Sequence, residues 1–352
     1  MPTYKDEKTG LWYCKFVYMD WTGQRKQKKK MGFRLQKEAK QFEIDFLSKT
    51  AKNCDMSFGS MVDIYMEDCK ARLKPTTYQG KEAVIAKHIL PYFRHLRIND
   101  IQPMTVRRWQ TDLINSSQNY KPTYLRTLNS QLSAIFNFAM KYYGLPSNPV
   151  QKSGTIGKKH SGLEQYWTVD EFKVFIEAVS DKPMSAVIFN LLYWSGIRSG
   201  ELLALTLNDF DFEVCTVSIT KNYARINGED LFLEPKTPKS NRKITLPQFV
   251  CDLVKNYADR LYGYSPSDRL FETTKHYLKN EMDRGCRKTG LKEIRVHDLR
   301  HSHASLLIEL GFAPLLISER LGHESVTTTL EIYSHLYPTK QGEVASRLQD
   351  FA

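Results

Sequence analysis

His297-Asp298-Leu299-Arg300 stands in the C-terminal fifth of the chain, followed by Leu321-Gly322-His323 and by Tyr333 in Thr329-Leu330-Glu331-Ile332-Tyr333-Ser334-His335-Leu336. Far upstream, Ser195-Gly196-Ile197-Arg198-Ser199-Gly200-Glu201 closes an apolar run. The spacing of His297 and Arg300 puts both on one face of a helix, with Leu299, Leu306 and Leu310 on its core face and Gly311 to end it. A guanidinium such as Arg198 or Arg300 can bond two phosphate oxygens at once and keeps its charge near neutrality. An imidazole beside it, His297 or His323, can hydrogen-bond a phosphate or carry a proton. The phenol of Tyr333, with an ordinary pKa of about 10, becomes a nucleophile only where cations favour the phenolate. Glu201, three residues after Arg198, is placed to pair with it and hold its orientation.

Taken singly, each residue has a plainer reading: Arg198 and Glu201 as surface charges, His323 as a hydrogen-bonded core histidine. The group His297, His301, His303 and His323 also raises a zinc site. His323-Glu324-Ser325-Val326-Thr327 lacks the second histidine of H-E-x-x-H, however, and no cysteine lies near in sequence, so no metal is expected.

The 352 residues allow two or three domains, at roughly 100 to 200 residues each. No apolar run approaches the roughly 18 residues of a membrane helix, and Asn190 interrupts the richest, Ala186 to Trp194. Met1 to Lys8 has no apolar region of a secretion signal, so a cytoplasmic location and no membrane partner are expected. The six cysteines form neither a C-x-x-C pair nor a ligand spacing and read as reduced thiols. The net charge is +12, and residues 1–54 alone carry thirteen Lys/Arg against six Asp/Glu. An excess of that sign suits a polyanion, nucleic acid above all, although a solvated basic surface is the bland alternative.

The fold class expected is mainly α with small β-sheets. Residues 1–54 read as a small three-stranded sheet plus a helix: Trp12, Cys14, Phe16 and Tyr18 alternate with Lys15, and a turn falls at Asp20-Trp21-Thr22-Gly23. The strand ending at Phe33 carries Lys26, Lys28, Lys29 and Lys30, and a helix from about Leu35 to Lys52 offers Ala39, Phe42 and Phe46 to the sheet. Residues 55–148 read as a bundle of four helices, broken from Pro91 to Asp100. Residues 149–166, with Gly154, Gly157, Lys158 and Lys159, have the composition of a basic linker. Residues 167–352 begin with a capping box at Thr168 and Glu171, continue through a buried helix from Met184 to Trp194, and then show a meander of three strands at Cys215–Ile219, Leu231–Glu234 and Arg242–Leu246. Helices at about Gln248 to Tyr262 and His276 to Lys288 lead to His297.

Arg198, Lys236, His297, Arg300, His323 and Tyr333, in this order, resemble the active-site set of the tyrosine recombinases of the phage integrase family. The resemblance implies an arm-type DNA-binding domain in residues 1–54, a core-binding domain in 55–148, and a catalytic domain with a C-terminal tail in 167–352. It implies that Tyr333 attacks a scissile phosphate, giving a 3′-phosphotyrosyl link and a free 5′ hydroxyl that attacks the partner duplex. Arg198 and Arg300 then clamp the phosphoryl group, His297 and His323 assist, and Lys236, in Glu234-Pro235-Lys236-Thr237-Pro238-Lys239-Ser240, protonates the leaving oxygen. Lys239 and Lys243 compete for that last role.

The same resemblance implies a site-specific recombinase that integrates or excises a mobile element of phage or conjugative origin without metal, nucleotide or other cofactor. Its partners would be double-stranded attachment sites and three further copies of itself in a synaptic tetramer, with room for a directionality factor and a DNA-bending host protein. Lys26, Lys28, Lys29 and Lys30 in the N-terminal domain, and Arg107, Arg108, Lys121 and Arg126 in the bundle, are candidate DNA contacts. A type IB topoisomerase shares the chemistry, and a non-catalytic DNA-binding regulator could share the scaffold. The separate basic N-terminal module weighs against the first and the intact set of six against the second. In the tail, Val344, Leu348 and Phe351 have the i, i+4, i+7 spacing of a helix that lies in a groove, of its own or of a neighbouring protomer.

Overall fold

Alternation of apolar and polar side chains over Trp12–Met19 gives a strand with one face to bury, and it pairs on both sides, with Thr3–Lys5 and Arg25–Phe33, in an antiparallel three-stranded sheet. Cys14 and Phe16 are buried against Ala39 of the helix Gln36–Thr50, and Phe33, Phe42 and Phe46 pack around them. The computed structural model describes residues 3–7, 9–19, 24–50, 56–159, 165–234, 240–333 and 349. The chain divides into two units, Met1–Gly162 and Leu163–Ala352. The expected turn at Asp20–Gly23 lies outside the described residues.

The rest of the first unit is the helical bundle. Ser57 caps Phe58–Arg72 by accepting the Ser60 N–H, and Pro75 opens the next helix at a position where its missing N–H costs nothing. The break expected at Pro91 does not occur there. The helix widens into a π-turn at Ile85–Ile89, where the Leu90 N–H reaches the Ile85 carbonyl, and then continues through Leu90–Phe93 before the chain leaves it. Proline cannot donate within a helix and its ring crowds the carbonyl four residues back; the wider turn relieves that conflict. Pro103–Ile114 and Pro122–Tyr143 complete the bundle, with Val106, Trp109, Leu128, Leu132, Ile135 and Phe136 in its core. Buried Gln110 donates to Asn129 Oδ1 and to the Gly154 carbonyl, both at 2.8 Å. Pro149–Ser153 is a short helix, and Val150 and Ile156 join the same core, so the first part of the segment expected as a linker packs on the bundle.

In the second unit Thr168 and Glu171 form the capping box of Val169–Val179, which packs beside the buried helix Pro183–Ser195. The expected three-strand meander is corrected. Thr216–Ile219 pairs with Phe210–Asp211 on one side and with Arg242–Thr245 on the other, while Glu229–Leu233 pairs with Asn222–Ile226 in a separate hairpin. The reason is the turn Asn227-Gly228, where both residues have positive φ, 52° and 88°. A tight Asn-Gly turn returns the chain at once onto the strand just before it, while Thr216–Ile219 has both its edges taken by Phe210–Asp211 and Arg242–Thr245. The helices Gln248–Ala258, Lys275–Thr289, Asp298–Glu309, Pro314–Leu321 and Val326–Tyr333 follow. The first of these ends short of the expected Tyr262. Lys236 and Lys239, and the tail residues Val344, Leu348 and Phe351, lie outside the described residues.

Asn148 shows how polar residues lock the bundle. It is 2% exposed, accepts the Val150 N–H, and donates to Ser133 and to Asn137 Oδ1. Asn148→Ala leaves those groups without that partner and is expected to lower stability by about 1–3 kcal/mol, read as a drop in the urea midpoint at unchanged slope.

Candidate active site

Two helix ends and one strand meet to build the site in the second unit. Pro183–Ser195 ends at Gly196 and Pro314–Leu321 ends at Gly322, each glycine in the left-handed region at φ 66°. That turn leaves the last carbonyls of each helix without an intrahelical donor. Arg300 supplies the donors: its two terminal nitrogens bond the Gly196 carbonyl at 2.8 Å and the Leu321 carbonyl at 2.7 Å. A Cβ on Gly196 would come within 2.6 Å of the His303 ring and 2.8 Å of Leu321, so both the conformation and the space require glycine.

Arg198 caps the short helix Ser199–Leu202 and reaches the Glu201 carboxylate at 2.7 Å and the Gly322 carbonyl at 3.2 Å. The other oxygen of Glu201 accepts Arg242 at 2.8 Å, and Arg242 also donates to the carbonyls of Arg320 and Ser240. Glu201 is buried, which alone would raise its pKa, but the hydrogen bond and charge of Arg242, with Arg198 behind it, hold the carboxyl below the usual range. Burial, then the charges of Arg198 and Arg242, push the Arg300 pKa down to about 9. Two guanidiniums therefore share the Glu201 carboxylate with a third close enough to feel all three charges, and the site has room in charge for an anion. Arg198 keeps 35% of its side chain exposed, whereas Arg300 is 3% exposed.

The histidines divide by partner. His297, at the N-terminus of Asp298–Glu309, is exposed; partial desolvation and then His301 and Arg300 lower its pKa. His301, one turn on, stacks edge-to-face on His297 with ring centres 5.4 Å apart. Its Nδ1 lies 2.5 Å from the Tyr333 hydroxyl. Tyr333 is 2% exposed and packs with Ala304, Ile308, Ile317 and Leu321. His323 makes a 2.8 Å bond to Thr329, and its pKa is lowered by burial and then by Arg300 and Arg198. His303 accepts the Arg320 Nε–H at 3.0 Å and belongs to the frame of the site.

Thus Arg198, Glu201, His297, Arg300, His323 and Tyr333 all belong to this second unit: Arg198 and Arg300 are hydrogen-bonded to its two helix ends, Glu201 to Arg198, His323 to Thr329, and His297 and Tyr333 each meet His301. Two residues of the site are not among the sequence-derived candidates: Arg242, which only opens the strand expected at Arg242–Leu246, and His301, weighed only as a zinc ligand. Their signal was positional, His301 lying one helical turn after His297. Lys243 stands opposite Ser218 in its sheet and is exposed. Among the candidate DNA contacts, strand alternation splits the lysine run. Lys28 lies over the Phe46 ring at 4.2 Å on the helix side of the sheet, while Lys29 lies over Tyr13 at 4.6 Å on the open side. Arg107, Arg108 and Lys121 are exposed, and Arg126 is half-buried. No group of metal ligands occurs among the described residues.

A fold with carbonyl-held arginines around a tyrosine and histidines has clear relatives. The model described as Phage integrase family matches residues 165–340, that of the phage integrase N-terminal SAM-like domain residues 57–114, and that of the Arm DNA-binding domain residues 2–50. The chain is 30% identical to the ICEBs1 integrase of Bacillus subtilis (strain 168) over 324 residues, 86% of this chain and 85% of that protein. It is 24% identical over 333 residues to the tyrosine recombinase XerC-like protein of Caldanaerobacter subterraneus subsp. tengcongensis, spanning 84% and 83% of the two. Among solved structures, the Tn1549 transposon integrase in complex with a circular intermediate DNA has a TM-score of 0.72 at 17% identity, covering 84% of this chain and all (100%) of that one. The lambda integrase tetramer bound to a Holliday junction has a TM-score of 0.61 at 18% identity, covering 93% and 97%. The chain belongs to the phage integrase family. It is a tyrosine recombinase, an enzyme of site-specific DNA recombination.

The buried histidines set a pH dependence. Burial holds the pKa of His301 at about 4 and that of His303 at about 3. In the unfolded chain both titrate near the ordinary value of about 6.5. Between these values the unfolded state binds more protons, so stability rises with pH across that window and is lost progressively as pH falls below about 6.5. Urea midpoints at pH 7 and pH 5 are expected to differ in that sense, and His303→Gln to reduce the difference.

Proposed function

We propose that Tyr333 is the nucleophile, attacking a scissile phosphodiester to form a 3′-phosphotyrosyl bond and release a 5′ hydroxyl. The observation that carries this reading is the concentration of guanidinium charge beside the tyrosine, where Arg300 feels Arg198, Arg242, Glu201 and Tyr333 together and Arg198 and Arg242 are both bonded to Glu201. A phosphate entering there supplies the missing negative charge, and the phosphorane formed in the transition state strengthens each contact. Arg198, the more exposed, is the group a phosphate meets first. Arg300 uses its carbonyl bonds to hold its plane and keeps further N–H groups for a phosphate oxygen. Arginines in such positions are worth roughly 10³ to 10⁵ in rate in other phosphoryl transfers. His297 and His323 hydrogen-bond the non-bridging oxygens, Glu201 orients Arg198, and Lys236 protonates the departing 5′ oxygen. No cofactor enters this chemistry.

In this reading residues 1–54 bind arm-type sites, with Lys26, Lys28, Lys29 and Lys30 near the backbone. Residues 55–148 bind the core site through Arg107, Arg108, Lys121 and Arg126, residues 149–166 join the two DNA-binding lobes, and residues 167–352 carry the chemistry and the tail. The product is integration or excision of a mobile element in the cytoplasm by four protomers on two duplexes, consistent with relatives seen on a circular intermediate DNA and on a Holliday junction. A directionality factor and a DNA-bending host protein fit the same scheme.

Tyr333→Phe is expected to bind DNA as the wild type does and to form no covalent complex on a nicked suicide substrate. Trapping by the Phe variant would place the nucleophile elsewhere. Lys236→Ala is expected to cleave ordinary DNA slowly, by about 10² to 10⁴-fold, and to recover on a 5′-bridging phosphorothiolate, whose sulfur leaves without a proton. Recovery by Lys239→Ala or Lys243→Ala alone would move the role.

A further inference from the structure

A phenol must lose a proton to attack phosphorus, so a group that hydrogen-bonds the Tyr333 hydroxyl bears directly on the reaction. His301 is seated there, with Nδ1 at 2.5 Å. We propose that His301 is a further catalytic residue: its neutral imidazole fixes the Tyr333 hydroxyl and takes its proton as the phenol attacks. The proposal rests on Tyr333 being the nucleophile.

The geometry supplies three supports. First, His301 and Tyr333 are both buried, at 7% and 2% exposure, so water is a poor competitor for the phenolic proton in the closed site. Second, His301 shares a helix face with His297 at i, i+4, and the two rings meet edge to face, His297 being the exposed one. A phosphate hydrogen-bonded to His297 then sits one ring from the nucleophile. Third, the charges facing His301 favour transfer only when DNA is bound. Arg295 and Arg300 disfavour an imidazolium, Asp298 favours one, and His297 and His323 face it as neutral rings at pH 7. Asp298 is 3% exposed and is already engaged by Arg295. The incoming phosphodiester adds the negative charge that raises the proton affinity of the ring.

The step balances as follows. The Oη–H bond of Tyr333 breaks and its proton passes to His301 Nδ1; the Oη–P bond forms; the P–O5′ bond breaks; and the leaving oxygen takes a proton from the acid assigned to Lys236. Strand joining runs the same transfers backwards and returns the proton to Tyr333.

His301→Asn keeps an oxygen acceptor near the place of Nδ1 but cannot hold a proton. Expected is unchanged DNA binding and cleavage of a nicked suicide substrate slowed by about 10² to 10⁴-fold. The deficit should shrink as pH rises toward the phenol range, and a 5′-bridging phosphorothiolate should give no rescue, because the missing proton transfer is on the nucleophile. Wild-type rates across the pH range, a deficit that pH leaves unchanged, or rescue by the phosphorothiolate would each overturn the proposal. Should the variant lose DNA binding, the unaltered chain decides. In ¹⁵N-histidine NMR spectra the resonance displaced by Tyr333→Phe should report an unprotonated Nδ1; a protonated Nδ1, donating to the phenol, overturns it. Covalent trapping by Tyr333→Phe would instead remove the nucleophile itself, an outcome distinct from any result at His301.

Discussion

Positive charge in excess of its balance, held out of water, is the constraint on which the catalytic unit depends. Arg242 and Arg300 have almost no contact with solvent, and Glu201, the carboxylate that bridges Arg198 and Arg242, is buried with them. A buried guanidinium is tolerated only when its N–H groups find acceptors, and here those acceptors are the carbonyls of Gly196, Leu321, Ser240 and Arg320. The same bonds fix where the helices Pro183–Ser195 and Pro314–Leu321 end relative to the strand Arg242–Thr245. Fold and charge distribution are therefore one arrangement. Breaking the Glu201 link would leave two cations facing each other, which is why that carboxylate stays ionised despite its burial.

Much of this was legible in residue order. The spacing of His297 and Arg300, the position of Arg198 after an apolar helix, and the capping box at Thr168 carry strong local signals, because each depends on neighbours within one or two helical turns. Pairing between strands is not local. The three strands expected as a meander separated into two sheets because the Asn227-Gly228 turn, a local signal that went unread, captured one of them. The helix through Pro91 failed for a related reason: proline forbids a regular α-turn, and the chain answered with a π-turn that composition does not announce.

The roles of Arg242 and His301 were hidden for a different reason. Each sits beside a more conspicuous neighbour, Lys243 and Arg300, and nothing in the sequence says which of two adjacent side chains turns inward. Burial separates them, since Arg242 is 6% exposed at its side chain while Lys243 is exposed. The lysine run of the N-terminal sheet teaches the same lesson, since consecutive residues there serve opposite faces.

The acceptors that seat Arg300 belong to the main chain. Any residue presents the same carbonyl, so most side chains around the clamp can change while the guanidinium stays in place, provided that the path of the chain is kept. The two left-handed turns that set this path are the positions without such freedom. Drift of sequence around a fixed skeleton is what such a design permits.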